Sequence, residues 1–448
     1  MTPSVRRNRS DPHDSYGQNG RIVLIRGGTV VDRDGERRAD VLIEDGRVAA
    51  VGDEVVADRP TDQVLDADGC VVAPGFVDLH VHLREPGREE AETIETGSRA
   101  AALGGFTAIV AMPNTDPPQD SRGVVEFVRG QGEQAGLCEV LPAGCITMGR
   151  AGESLAPFAE LVAAGVRIFT DDGNGVQDPL LMRRAMEYSM GLDMVLAQHC
   201  EVARLTQGAV MHEGRCCSEL GLPGWPALAE ELMVHRDLEL SRLTGARIHL
   251  LHLSTARSVE LVRSAKADGV AVTAEAAPHH FTLTDEHLCG YDPVFKVNPP
   301  LRTADDIAAI KAGLADGTID AIATDHAPHA QEDKERPIDS APPGMLGLET
   351  ALGVALAELD LPLQDVVAAL SWKPAAIAGA GDRHGVPIQE GSPANLVVFD
   401  PTATWSVRPA HLASRSRNTP YVGRTLKGRV RHTIFRGAPV VVDGQAER

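Results

Sequence analysis

The sequence predicts an α/β protein, a (β/α)8 barrel joined to a small β-sandwich built from both ends of the chain. Eight short β-branched runs recur between Gly75 and about Ala380, each followed by an amphipathic helical stretch. Turn-punctuated β-rich runs of a different style flank that region on both sides. The runner-up, a doubly wound open sheet, would need a Gly-rich phosphate loop after an early strand, and no GxGxxG or P-loop motif occurs.

In chain order, residues 1–20 are polar, rich in turn formers and without hydrophobic period, which predicts a disordered leader. From Arg21 to Gly75, the runs IVLIRGGTVV, DVLIEDGRVAAVG and VLDADGCVVAPG read as strands, with EDG and ADG as hairpin punctuation. The same style returns near the C-terminus in ANLVVFD, VRHTIFRG and PVVVDG. One composite sandwich of 21–75 plus 386–448 is therefore expected around a barrel of 76–385, in preference to two independent β-caps. The barrel strands are placed at 76–82, 106–112, 138–147, 166–170, 194–199, 247–253, 270–276 and 320–326. Helical patterns lie between them, for example at 88–105, 158–165 and 255–269, and another follows the last strand at 347–359.

Composition excludes several function classes. A chain of 448 residues with 43% hydrophobic and 24% charged residues can bury a large core. A net charge of −20 repels nucleic acid and anionic membranes, while leaving a small anionic substrate free to respond to local charge. The apolar runs are too short to span a bilayer and the N-terminus has no apolar signal region, so a cytoplasmic protein is expected. Seven cysteines, without CxxC spacing, fit neither a disulfide framework nor a zinc ribbon, and most are expected as small core residues in a reducing compartment.

The unusual residues fall where the barrel strands end. His80 and His82 close the first strand, Asn114 follows the second, and Asp171 and Asp172 follow the fourth. His199 ends the fifth, His252 the sixth and Asp325 the eighth. Active sites of this fold lie at the C-terminal ends of its strands. Side chains alternate with period two, so His80 and His82 share a face and can hold one ion, and Arg84 continues the alternation toward the same mouth. Any one of these histidines alone is as well explained by an ordinary backbone partner. Four histidines and two carboxylates at five strand ends have no obvious packing purpose. Nitrogen and oxygen ligands without thiolate suit zinc, with manganese, cobalt or iron as alternatives, and six ligands fit two ions sharing a carboxylate. Alternation says that Asp171 and Asp172 cannot both face inward but does not choose between them. His279 and His280 read as structural, and His212, His235, His384, His411 and His432 have no ligand-like context.

The motifs DLHVHLREPG, AMPNT, FTDDG, QHCE, LHLST, KVNPPLR and ATDHAPH, in this order, closely resemble those of dihydroorotases of the amidohydrolase superfamily, the bacterial type that bridges its metals with an aspartate. The resemblance runs from about residue 21 to the end. It implies that His80, His82 and Asp325 hold one zinc, that His199 and His252 hold a second, and that Asp172 bridges them. It also implies that Arg84, Asn114 and His329 bind the substrate carboxylate. Asn298 and the backbone near Gly344 then hold the ring, with His82 and Pro343 among the substrate contacts. Relatives often carry phenylalanine where Pro343 stands here, and proline has no N–H to donate. The implied reaction is reversible cyclisation of N-carbamoyl-L-aspartate to L-dihydroorotate in pyrimidine biosynthesis. A hydroxide held between two ions would be the nucleophile in the hydrolytic direction, and Asp325 the acid and base. The resemblance leaves open a homodimer and an association with aspartate transcarbamoylase.

The nearest rivals, hydantoinase, dihydropyrimidinase and allantoinase, mostly bridge their metals with a carbamylated lysine from the fourth strand. This chain has six lysines and the first is Lys266, well past that strand. A rival from another class is a non-catalytic scaffold for aspartate transcarbamoylase, which typically lacks several ligands; all six candidates are present here. The stretch 329–344 is long, charged and punctuated by prolines, which suggests a mobile flap over the mouth.

Overall fold

The computed structural model describes residues 20–447. The expected leader, apart from Gly20, lies outside the described residues. All eight predicted barrel strands form, at Phe76–Val81, Phe106–Ala111, Glu139–Pro142, Ile168–Phe169, Val195–Gln198, Ile248–Leu250, Val272–Ala276 and Ala321–Ile322. The first three pair in parallel as one sheet and the last five as another. Bridges at Gly144↔Phe169 and Val81↔His326 join the two sheets on both sides and close the barrel. Val77, Val110, Ile168, Val195, Leu251 and Ala321 belong to one buried apolar cluster drawn from around the barrel.

The helices start where the sequence supplies caps. Thr93 caps the helix Ile94–Leu103 in a reciprocal arrangement with Thr96. Thr255 caps Ala256–Ala267 through the Ser258 N–H. The helix Phe158–Ala163 follows Pro157, and Ala351–Glu358 follows the last barrel strand.

Strands from the two ends of the chain meet in a single hydrogen-bonded order. Leu396–Ser406 runs antiparallel to Val71–Pro74, with Leu396 opposite Pro74 and Val398 opposite Val72. Val71–Pro74 pairs in turn with Ile22–Asp32, and Leu396–Ser406 with Thr425–Phe435. Val23, Ile43, Val72, Val398 and Ile434 share one core, so the sheet folds over on itself as the small sandwich. This seam excludes two independent caps. The cysteine expectation needs one correction: Cys216 and Cys289, 73 residues apart, are joined by a disulfide. The helix Arg215–Leu220 packs against the short turn Asp285–Gly290 and brings the two together. The other five cysteines are free and buried, as expected of core residues.

A segment near the C-terminus crosses back to the barrel mouth and is stitched to it. Glu349 accepts from the N–H groups of Ala413 and Ser414, at 2.9 and 3.4 Å. Glu92 accepts from the Arg415 N–H at 2.9 Å and from the Ser414 hydroxyl, and it also meets His326 Nε2 at 3.3 Å. Asn418 donates to the carbonyls of Ala327 and Gly344, at 3.0 and 3.1 Å, and accepts from the His329 N–H at 3.2 Å.

Burial pushes the Glu349 carboxyl up to about 7, against the pull of its two N–H partners and with Glu92 adding to the rise. The folded state therefore binds this proton more tightly than the unfolded chain, whose value is near 4.5. Stability from this group is present below about 4.5 and is lost as pH rises through about 7. Glu349→Gln keeps an acceptor for both N–H groups and removes the charge. It should stabilise the protein by about 1–3 kcal/mol at pH 8 and by little at pH 5. Chemical denaturation at the two pH values checks this, and an equal effect at both would refute the assignment.

Candidate active site

The polar residues that the sequence places at separate strand ends converge at one mouth. Asp172 is their centre. Its carboxylate lies 3.4 Å from His80 Nε2, 3.5 Å from His82 Nε2, 3.4 Å from His199 Nδ1 and 3.7 Å from His252 Nε2. Asp325 Oδ1 lies 3.2 Å from His82 Nε2 and 3.5 Å from His80 Nε2. Asp171 points elsewhere: its carboxylate accepts from the Ile146 and Thr147 N–H groups, at 2.9 and 3.0 Å, and from the Thr147 hydroxyl. Alternation left the choice between the two aspartates open, and the geometry makes it.

Two groups of side chains present ligand atoms close enough to share an ion: His80, His82 and Asp172, and Asp172, His199 and His252. All five residues are buried. His80 Nε2 is buried without a hydrogen-bond partner among the described residues, an orphan that a cation would satisfy. Burial alone would raise the carboxyls of Asp172 and Asp325, yet the histidines around them hold both well below the usual carboxylate range. Ionised oxygens and imidazole nitrogens with no thiolate make a donor set that fits a divalent metal, zinc included.

Three of the four candidate histidines are held from behind as well. His82 Nδ1 meets Asn114 Oδ1 at 2.9 Å, which fixes the amide with its nitrogen turned the other way. Glu275, buried on the seventh strand, meets His80 Nδ1 at 2.9 Å and His249 Nε2 at 3.0 Å. Burial raises the Glu275 carboxyl, but the bonds from these two rings prevail and bring it down to about 2. His199 Nε2 meets Glu201 Oε2 at 3.0 Å.

Above the centre lies a cavity of about 250 Å³ whose walls include His82, Asp172, His199, His252 and Asp325. The expected substrate contacts Arg84, Asn114, Asn298, His329, Pro343 and Gly344 line the same cavity. Arg84 reaches it by a different route from the predicted one. The strand ends at Val81, and Arg84 sits in the left-handed region at φ 62°, so a turn rather than strand alternation aims it at the mouth. Its Nε donates to the Pro328 carbonyl at 3.1 Å, and Nη2 lies 3.5 Å from His329 Nε2. Burial and the neighbouring Arg88 lower its guanidinium to about 10, still a cation at neutral pH. His252 and Asp325 also have positive φ, 31° and 47°, so strained backbone gathers at this rim.

His329 Nε2 donates to the Pro343 carbonyl at 2.7 Å. Burial first, and then Arg84, lower the His329 ring to about 2, so it is neutral. Gly344 uses both backbone groups internally: its N–H donates to the Lys296 carbonyl at 2.9 Å, and its carbonyl accepts from Asn418 and Lys334. The charged stretch 329–344 is tied down by two lysines. Lys334 Nζ donates to the Pro342 carbonyl at 3.0 Å, and Lys296 Nζ to those of Ile338 and Asp339, at 2.7 and 3.1 Å.

Sequence reasoning missed Glu201, Glu275, Asn418 and Arg88, the last a second guanidinium on the cavity wall. A signal existed for two of them: Glu275 is the one charged residue in the strand VTAEA, and Glu201 stands two after His199. Three of the other histidines have partners away from the cavity. His384 binds Glu139 at 2.7 Å, His212 meets Arg302 at 3.1 Å, and His280 binds the Pro299 carbonyl at 2.9 Å.

Known proteins resemble this chain in sequence and in fold. Residues 69–258 match the family model described as dihydro-orotase-like. A dihydroorotase of Streptomyces coelicolor is 51% identical over 429 residues, covering 94% of this chain and 99% of the relative. One from Mycobacterium tuberculosis is 50% identical over 430 residues, with the same coverage. Among solved structures, L-hydantoinase (dihydropyrimidinase) from Arthrobacter aurescens superposes with a TM-score of 0.84 at 26% identity, covering 95% of this chain and 97% of that one. A D-hydantoinase (dihydropyrimidinase) from Thermus sp. gives 0.81 at 26% identity, covering 95% and 96%.

Proposed function

Because the chain belongs to the dihydroorotase family, we propose that it interconverts N-carbamoyl-L-aspartate and L-dihydroorotate with two zinc ions in its barrel mouth. The observation that carries the reading is the shared cavity, which exposes an aspartate and three of the four histidines around it, together with a guanidinium and an amide. The first zinc would be held by His80, His82 and Asp325, the second by His199 and His252, with Asp172 between them. Such ions, when bound, lower the pKa of water and polarise a carbonyl oxygen.

The side chains supply the rest. Arg84 and the Asn114 amide nitrogen bind the carboxylate, which sets the ring amide over the floor. Asn298, Pro343 and Gly344 shape the space for the ring, and His329 completes the carboxylate end. In hydrolysis, Asp325 takes the proton from the attacking water and delivers it to the ring nitrogen as the C–N bond breaks. In synthesis it takes the proton from the ureido nitrogen and returns it to the departing oxygen.

The hydantoinase reading shares the fold. It lacks support at the fourth strand, where the bridging position is filled by aspartate and no lysine precedes Lys266. Among the described residues no helix is long and apolar enough to cross a membrane. A cytoplasmic location, a homodimer and an association with aspartate transcarbamoylase belong to the same proposal, and sizing with and without that enzyme tests the last two.

Purified protein should contain zinc and turn over both dihydroorotate and N-carbamoyl-L-aspartate. Dialysis against a strong chelator should abolish turnover, and added zinc should restore it. Full activity in protein shown to be metal-free would sink the metal assignment; hydantoin or allantoin as the better substrate would sink the choice of reaction.

A further inference from the structure

We propose that Glu275 and Glu201 are positioning residues, one for each ion, that decide which ring nitrogen of His80 and His199 is presented to the metal. The inference rests on the two-metal reading and extends it outward from the ligands.

The two histidines face Asp172 through opposite nitrogens. His80 offers Nε2, at 3.4 Å, and His199 offers Nδ1, also at 3.4 Å. A neutral imidazole carries its proton on one nitrogen and its lone pair on the other, so a ligand histidine must be held in the right tautomer. In each ring a carboxylate sits on the nitrogen away from Asp172: Glu275 at 2.9 Å from His80 Nδ1, and Glu201 at 3.0 Å from His199 Nε2. A carboxylate there draws the proton to itself, frees the opposite lone pair and makes it more basic. The two acids come from different elements and oppose different nitrogens, yet both give the tautomer that their site requires.

Glu275 reaches further than Glu201. Its side chain is fully buried at the first, sixth and seventh strands, and its oxygens also meet His249 Nε2 at 3.0 Å and the His252 N–H at 3.4 Å. His249 is in turn fixed by the Thr273 hydroxyl at 2.8 Å. His252 has the unfavourable φ of 31°, and the bond to its N–H helps hold that backbone in place. One carboxylate therefore touches a ligand of each ion. Glu201 touches one ligand and is anchored by the Thr206 hydroxyl.

The test is zinc affinity in the full-length Glu201→Gln and Glu275→Gln proteins, measured by competition with a chelator of known affinity, alongside melting of the metal-free forms. Glutamine keeps the size and removes the charge. Glu201→Gln should weaken one of two zinc-binding steps by about 10- to 100-fold, and Glu275→Gln should weaken both, with metal-free melting unchanged for Glu201→Gln. Cobalt-substituted protein should show the altered ligand field in its visible spectrum. Wild-type zinc affinity in folded Glu201→Gln would overturn the proposal. If Glu275→Gln does not fold, Glu201→Gln decides, since its side chain lies nearer the surface. A wild-type protein that binds no zinc would instead overturn the two-metal reading itself.

Discussion

Replacing Asp325 with asparagine should leave the fold intact and lower kcat by about 10²–10⁴ or more, with a smaller effect on KM. Asparagine is nearly the same size and tolerates the left-handed backbone that Asp325 adopts at φ 47°. It can still face His82, 3.2 Å away. It cannot take a proton from water and give it to nitrogen, because an amide is neither a useful base nor a useful acid near neutral pH. The expected pattern is lost turnover in both directions with melting close to that of the parent. Near-normal rates would refute the proton shuttle. Loss of zinc together with loss of rate would recast Asp325 as a ligand first.

The second large effect is expected at Arg84. Truncating one partner of a buried charge pair costs about 2–5 kcal/mol, so Arg84→Ala should lower kcat/KM for dihydroorotate by roughly a hundredfold or more, chiefly through KM. Dihydrouracil has the same ring without the carboxylate and supplies the control. Its slow hydrolysis, if detectable in the parent, should be no worse in the variant. An unchanged KM for dihydroorotate would count against the carboxylate clamp, as would an equal loss with both rings. Some destabilisation is expected too, because Arg84 Nε satisfies the Pro328 carbonyl.

The sequence was most informative where chemistry and local period coincide. The strand exits carry residues that make little sense as packing, and barrel topology does the rest by bringing eight distant exits to one rim. The grouping of His80, His82, Asp172, His199, His252 and Asp325 was legible for that reason. Choosing between Asp171 and Asp172 was not, because it depends on which carboxylate finds the Ile146 and Thr147 N–H groups. Those donors lie 24 and 25 residues away. Strand alternation does not carry Arg84 to the mouth, because the strand ends at Val81; a turn with positive φ delivers it instead.

Long-range partners were the least visible. Nothing near Asn418 hints that its amide holds loops 74 to 91 residues upstream. The Cys216–Cys289 pair has no spacing signature either, and it follows from the packing of two elements that the sequence does not connect. Glu275 could have been found by asking why a carboxylate interrupts an otherwise apolar and hydroxyl-bearing strand. Burying such a group without partners would cost several kcal/mol, so partners had to exist.

The seam between Val71–Pro74 and Leu396–Ser406 also constrains the order of events during synthesis. A ribosome releases the N-terminal strands long before Leu396–Ser406 exists, so Val71–Pro74, already beside Ile22–Asp32, waits with its other edge unpaired while more than three hundred residues are made. The barrel can close in that interval, but its rim lacks Asn418 and the Glu92 and Glu349 stitches until the same late segment arrives. Completion of the sandwich and completion of the catalytic rim are thus one step in time. A nascent chain stalled before residue 396 would hold all six candidate metal ligands and little of its activity.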